Sequence, residues 1–118
     1  MIQSDIYKLL SENAGITSLV STRIYPIELP QGGAVPAIVY TTNIVPVKSL
    51  DGESGLDNCF VEIVCWAENY LKAHLVAEAV RTAFESSGLG AMTDDMQDKR
   101  DEETRNYGVV MNTTVWSE

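Results

Sequence analysis

Cys65 and His74 are the residues of this chain whose types come closest to a nucleophile and its base: a thiol, and an imidazole to take its proton. Nothing in the spacing fixes their mutual geometry, and no third group stands ready to orient the imidazole. His74 is the sole histidine and adjoins Leu75 in a helix-patterned segment, the setting of a packed or surface residue rather than a ligand. The acids Asp94, Asp95, Asp98, Asp101, Glu102 and Glu103 raise the question of calcium. They lack the alternate spacing and closing bidentate glutamate of a calcium loop, and read as a solvated acidic segment. Gly32-Gly33 and Gly88-Leu89-Gly90 match neither a phosphate-binding loop nor a dinucleotide fingerprint. The expectation is a protein that is not an enzyme, with no catalytic residue, no cofactor and no metal.

The elements that would hold such residues centre on Asn58–Ser87. Asn58–Trp66 reads as a strand, Ala67-Glu68-Asn69 as a short connection, and Tyr70 to about Glu85 as a helix. So short a connection returns the helix to the sheet that contains the strand. In the helix, Leu75, Val76, Ala79, Val80, Ala83 and Phe84 recur at helical spacing and predict one buried stripe, capped by Asn69 and stopped by Ser86-Ser87-Gly88. In the strand, Cys59, Val61, Ile63 and Cys65 share one face, and Phe60, Glu62, Val64 and Trp66 the other. The two thiols then lie roughly 20 Å apart along the strand, beyond disulfide reach. Apolar groups on both faces predict cover on both, with the second face shielded by the N-terminal helix or by a neighbouring subunit.

That N-terminal helix is predicted from Ile2, Ile6, Leu9 and Leu10, with Gln3 or Ser4 near its cap and Gly15 at a left-handed stop. A second, weaker helical turn carries Ile16, Leu19 and Val20. Ile24-Tyr25-Pro26 is extended, residues 29–36 form a Pro/Gly-rich loop, and Ala37–Ile44 is a β-branched strand. Asp51–Gly55 marks the turn of an antiparallel pair, and Tyr107–Trp116 alternates as a final strand. Met92–Asn106 is polar enough to be either a loop or a charged edge strand. At 118 residues this amounts to an α+β fold, a mostly antiparallel four- to five-stranded sheet packed by two main helices in a single domain over residues 1–118.

The formal net charge is -9, all of it carried by the stretch after Lys48, since three acids and three bases cancel before it. An electrostatic nucleic-acid binder needs a basic face, so this balance argues against one. No run is long and apolar enough to span a bilayer, and the N-terminus lacks the pattern of a secretory signal, so a cytoplasmic product is expected.

The ordered signals Arg23-Ile24-Tyr25-Pro26, Leu29-Pro30-Gln31, Pro36–Tyr40, Leu50-Asp51-Gly52 with Gly55-Leu56, Cys65-Trp66-Ala67 with Tyr70, Glu103-Thr104 with Tyr107, and Val115-Trp116 span nearly the whole chain. Together they resemble the tail-completion or tail-terminator proteins of long-tailed, siphovirus-type bacteriophages. That resemblance implies a virion-tail protein, assembled in the cytoplasm of the bacterial host, that forms a ring, usually a hexamer. The ring caps the tail tube, stops its polymerisation and offers a head-joining surface. Its implied partners are further copies of itself, the tail-tube protein and a head-completion or connector protein, with DNA passing through the lumen unread and no membrane contact. Another neck component, such as a head-completion or connector adaptor, is the alternative, and a small enzyme built on Cys65 and His74 is a third reading. Subunit or tube contacts are expected from loops at Val47–Asp57 and Asp94–Arg105. The candidate interface residues are Arg23, Lys48, Leu50, Asp51, Phe60, Trp66, Asp94, Asp95, Asp98 and Arg100. A ring needs two different patches per subunit, and the expectation is an acidic patch from the second half of the chain meeting one that includes Arg23 or Lys48.

Overall fold

The computed structural model describes residues 2–30, 32–49, 52–87 and 91–117, and the side chains of residues 4–30, 32–45, 59–87 and 91–115. Two helices, α1 (Ile2–Glu12) and α2 (Ala14–Val20), lead into a short strand β1 (Ile24–Pro26). The long strands β2 (Ala37–Ser49) and β3 (Gly52–Ala67) follow, then helix α3 (Tyr70–Glu85) and strands β4 (Met92–Arg100) and β5 (Tyr107–Ser117). The sheet runs β1-β2-β3-β5-β4. β1 is parallel to β2, and every other pairing is antiparallel. The α+β class and the mostly antiparallel five-stranded sheet are as expected from the sequence.

Helix α3 packs on β3 and β5, and α1 and α2 pack beside it on the same side. Alternation along the strands sends Ile38, Cys59, Val61, Ile63, Cys65, Val109, Met111 and Val115 into this layer. They meet Ile6, Leu10, Ile16 and Val20 from the first two helices and Val76, Val80 and Phe84 from α3. The Asn69 side chain caps α3 by accepting a hydrogen bond from the Lys72 amide at 2.8 Å, and Ser86 ends the helix with its hydroxyl donated to the Thr82 carbonyl at 2.8 Å. Gly88, the last residue of the expected stop, lies outside the described residues.

Several local expectations are corrected. Leu75 is not in the buried stripe: it is 58% exposed, and Ala73 and Ala77 take the core positions instead. Val76, Val80 and Phe84 centre the buried face, and Leu75 falls too far round the 3.6-residue turn to share it. Gln3 and Ser4 lie inside α1 rather than at its cap, because the helix begins at Ile2. Gly15 is not a left-handed stop; it lies inside α2, and Asn13 makes the break by capping that helix, its side chain accepting from the Ile16 amide at 3.2 Å. The polar segment after residue 91 is an edge strand as far as Arg100, followed by a turn whose Asp101 carboxylate accepts from the Glu103 amide at 2.9 Å. The segments expected as loops at Val47–Asp57 and Asp94–Arg105 are therefore largely strand.

Two features of the sheet bear on function. The β2–β3 pairing continues to Ser49 and Gly52, whereas β5 last pairs with β3 at Asp57. Among the described residues, 52–56 therefore pair with β2 alone, a two-stranded arm about 17 Å long. The fold as a whole measures 51 × 28 × 22 Å. The short β1 pairs only with Ile38–Tyr40, so among the described residues β2 has no strand beside it on that edge from Thr41 onward. The second feature is the side of the sheet away from the helices, which no helix among the described residues covers.

Candidate functional site: the open face of the sheet

The register sets side chains on the open face in rows across the strands. Ala37, Trp66, Gly108 and Lys99 form one row; Val39, Val64, Val110 and Gln97 the next; Thr41, Glu62, Asn112 and Asp95 a third; and Asn43, Phe60, Thr114 and Met92 a fourth. Val45 follows beyond Asn43 on β2.

The first two rows are largely closed off. The Trp66 ring lies across Gly108, where any β-carbon would stand 2.9 Å from it, and the Lys99 ammonium sits 5.8 Å from the ring centroid. The loop carrying Ile27 and Leu29 borders this end, and Val64 is buried there. Ile27 holds a backbone φ of 72°, a conformation that β-branched residues rarely adopt, while its amide donates to the Tyr40 carbonyl at 2.9 Å.

The other end is exposed and chemically mixed. Phe60 is 44% exposed, Val45 is similarly open, and Met92, across Thr114 in the same row, is more so. A β-bulge between Thr93 and Asp95 sets two consecutive aspartates toward this one face. Asp94 Oδ2 accepts from Thr114 Oγ1 at 2.6 Å, and Asp95 Oδ1 accepts from Asn112 Nδ2 at 2.7 Å. Both donors are neutral, so the hydrogen bonds fix the carboxylates in place without cancelling their charge. Glu62 adds a third carboxylate beside Phe60 in a shallow depression lined also by Thr41, Asn43 and Asn112. Among the described residues no lysine or arginine forms an ion pair with any of the three.

The structure therefore divides the expected interface residues. Phe60, Asp94 and Asp95 come together at the exposed end of the open face, with Trp66 on the same face at the covered end. Asp98 and Arg100 project to the helix side instead. Asp98 accepts from the Tyr70 hydroxyl at 3.1 Å and bonds His74 Nε2 at 2.9 Å, and the Arg100 guanidinium lies 4.9 Å from the Tyr107 ring centroid. The Tyr70 phenol is held above its ordinary pKa, first by this hydrogen bond and then by the Asp98 charge. The Asp98 contacts fasten the edge strand β4 to α3. Arg23 is half-buried, and its Nε donates to the Pro36 carbonyl at 2.7 Å, fixing the entry to β2. Lys48 is a strand residue of the arm whose side chain lies outside those described, and Leu50 and Asp51 lie outside the described residues altogether.

The helix expected to shield Phe60 does not do so, since α1 packs on the opposite side of the sheet. Sequence reading missed Val45, Met92 and Lys99 as sharing this face with Phe60 and Trp66, and did not name Glu62 among the interface residues. Period-two alternation along β3 already placed Glu62 beside Phe60; Met92 required the edge strand to be recognised. The Cys65–His74 pairing does not form. Cys65 is fully buried beneath α3, its thiol pushed up to about 12 by burial, while His74 is engaged with Asp98.

With this geometry in view, the comparisons with known proteins decide the family. Residues 4–118 match the family model of the tail completion protein gp17. The chain belongs to that family. It is thus a structural protein of phage tail completion and a component of the virion. A solved chain from the virion of a native gene transfer agent particle shares the fold at a TM-score of 0.74, covering 98% of this chain and 92% of its own at 16% identity. A sequence search of curated proteins returns no match. No helix among the described residues is long and apolar enough to cross a membrane.

Proposed function

We propose that this tail completion protein, as a single domain over residues 1–118, assembles into a ring, a hexamer in its closed form, that caps the tail tube. The ring ends tube polymerisation, presents the head-joining surface and lets DNA pass through its lumen unread. Assembly takes place in the cytoplasm of the bacterial host. Its partners are neighbouring copies, the tail-tube protein and a head-completion or connector protein.

The observation that carries this reading is the β2–β3 arm. Among the described residues, 52–56 pair with β2 alone, and a two-stranded ribbon is marginal on its own in water and gains its stability by lying on something else. The β2 edge beside it is long and unpaired, and open edges of this kind are templates for strand addition. An arm of one subunit laid on a different surface of the next makes a head-to-tail contact, which closes into a ring when the rotation permits. Family membership supports the placement at the tail. The burial of Cys65, with His74 engaged by Asp98, supports a role in assembly rather than catalysis.

The test is native mass spectrometry at low salt, joined to a tube-assembly assay with the tail-tube protein. The expected result is a closed oligomer and tubes of limited length. Tubes that grow equally long with and without the protein would overturn the proposal.

A further inference from the structure

The exposed end of the open sheet face has a composition that selects its occupant. Phe60, Val45 and Met92 supply exposed apolar contact, and Glu62 with the hydrogen-bonded Asp94 and Asp95 border it with negative charge. The nearest described cation on that face, Lys99, lies at the opposite end against Trp66. We infer that this surface docks a basic, apolar segment of another virion protein, one whose aliphatic or aromatic side chain covers Phe60 while lysine or arginine meets the carboxylates. This rests on the tail-assembly reading and assigns a surface to one of its non-self partners.

A second copy of this chain suits the surface poorly. The outer stripe of α3 pairs the exposed Leu71 and Leu75 with Glu78, so seating it here sets carboxylate against carboxylate. Several of the chain's own cations are also engaged: Arg81 with Glu78 and Glu85, Arg100 on Tyr107, and Arg23 on the Pro36 carbonyl. Apolar surface wants cover, and uncancelled carboxylates held rigidly by Thr114 and Asn112 are preorganised for cations without further ordering cost.

The experiment measures binding of the tail-tube protein and of the head-side connector protein to the full chain, at low and at high salt. Three variants are compared: Phe60→Ser, the pair Asp94→Asn with Asp95→Asn, and Leu71→Ser on α3 as control. The Asn pair keeps one acceptor oxygen at each position for Thr114 and Asn112 and removes the charge. Circular dichroism confirms folding, and native mass spectrometry of each variant reports ring formation. The inference expects Phe60→Ser to weaken one of the two proteins by about tenfold or more at either salt. The Asn pair should weaken the same protein by about tenfold at low salt and little at high salt. Leu71→Ser should leave that binding unchanged, and every variant should still form the ring. Loss of the ring in Phe60→Ser would mean that a second copy covers the face, and would overturn the inference while leaving the proposed ring standing. Unchanged binding in Phe60→Ser and the Asn pair would overturn it as a solvent face. A wild-type chain that neither forms rings nor limits tubes refutes the proposed function instead, and binding of the connector or tube protein at Phe60 still reads out separately.

Discussion

Trp66 and Gly108 face each other across β3 and β5, and a β-carbon built on Gly108 would stand 2.9 Å from two atoms of the Trp66 ring. The absent side chain gives the indole a flat seat on the sheet, and Lys99 closes over its far side. Gly108→Ala must therefore lift the ring and open the covered end of the face. The expected cost is about 1–3 kcal/mol, the range for overpacking a fitted contact, read by urea unfolding and by a red shift of tryptophan emission. Stability unchanged to within about 0.5 kcal/mol would show that the ring relocates freely.

Helix α3 gives a paired test of which of its side chains support the fold. Phe84 is buried at the centre of the core, whereas Leu75 points outward. Phe84→Ala should cost about 3–5 kcal/mol, and Leu75→Ala no more than about 0.5 kcal/mol. Equal losses would mean that α3 is rotated about its axis relative to the structure.

Cys65 makes stability depend on alkaline pH. Burial pushes its thiol from the ordinary 9.0 up to about 12, so the folded protein holds the proton over a range in which the unfolded chain releases it. Unfolding then releases a proton, and the contribution is complete below about pH 9 and is lost as pH climbs from there toward 12. Denaturation midpoints for wild type should fall over that window, and those for Cys65→Ala should fall less steeply. Reagents that label thiols at neutral pH should reach Cys65 only after unfolding. Rapid labelling of the native protein would contradict the burial.

Ile27 carries a local strain that the fold tolerates. Its φ of 72° suits glycine or asparagine, and its side chain is exposed, so little packing offsets the conformation. Ile27→Asn is expected to raise stability by about 0.5–1 kcal/mol, seen as a higher thermal midpoint. A drop of that size would reveal that the isoleucine side chain contributes more to covering Val64 and Trp66 than its exposure implies.

Local chemistry made much of this protein readable without coordinates. The Asn69 cap, the core face of Cys59, Val61, Ile63 and Cys65, the buried Val76, Val80 and Phe84, and the alternation of β5 each follow from interactions within a few residues or from a strict period. The ordered motifs carried the family as well. The edge strand β4 stayed ambiguous because an edge strand pairs on one side only and can bear charge on nearly every residue, which leaves no periodic signal to read. Which side of the sheet the helices take was equally hidden, and that choice left Phe60 open and buried Cys65. The placement of Asp94 and Asp95 beside Phe60, and of Asp98 behind the sheet with Tyr70, turns on one bulge and on a register spanning three strands. Composition along the chain determined that these carboxylates exist and are solvated. Long-range strand pairing, which sums many weak cross-strand contacts far apart in sequence, decided which of them share a surface.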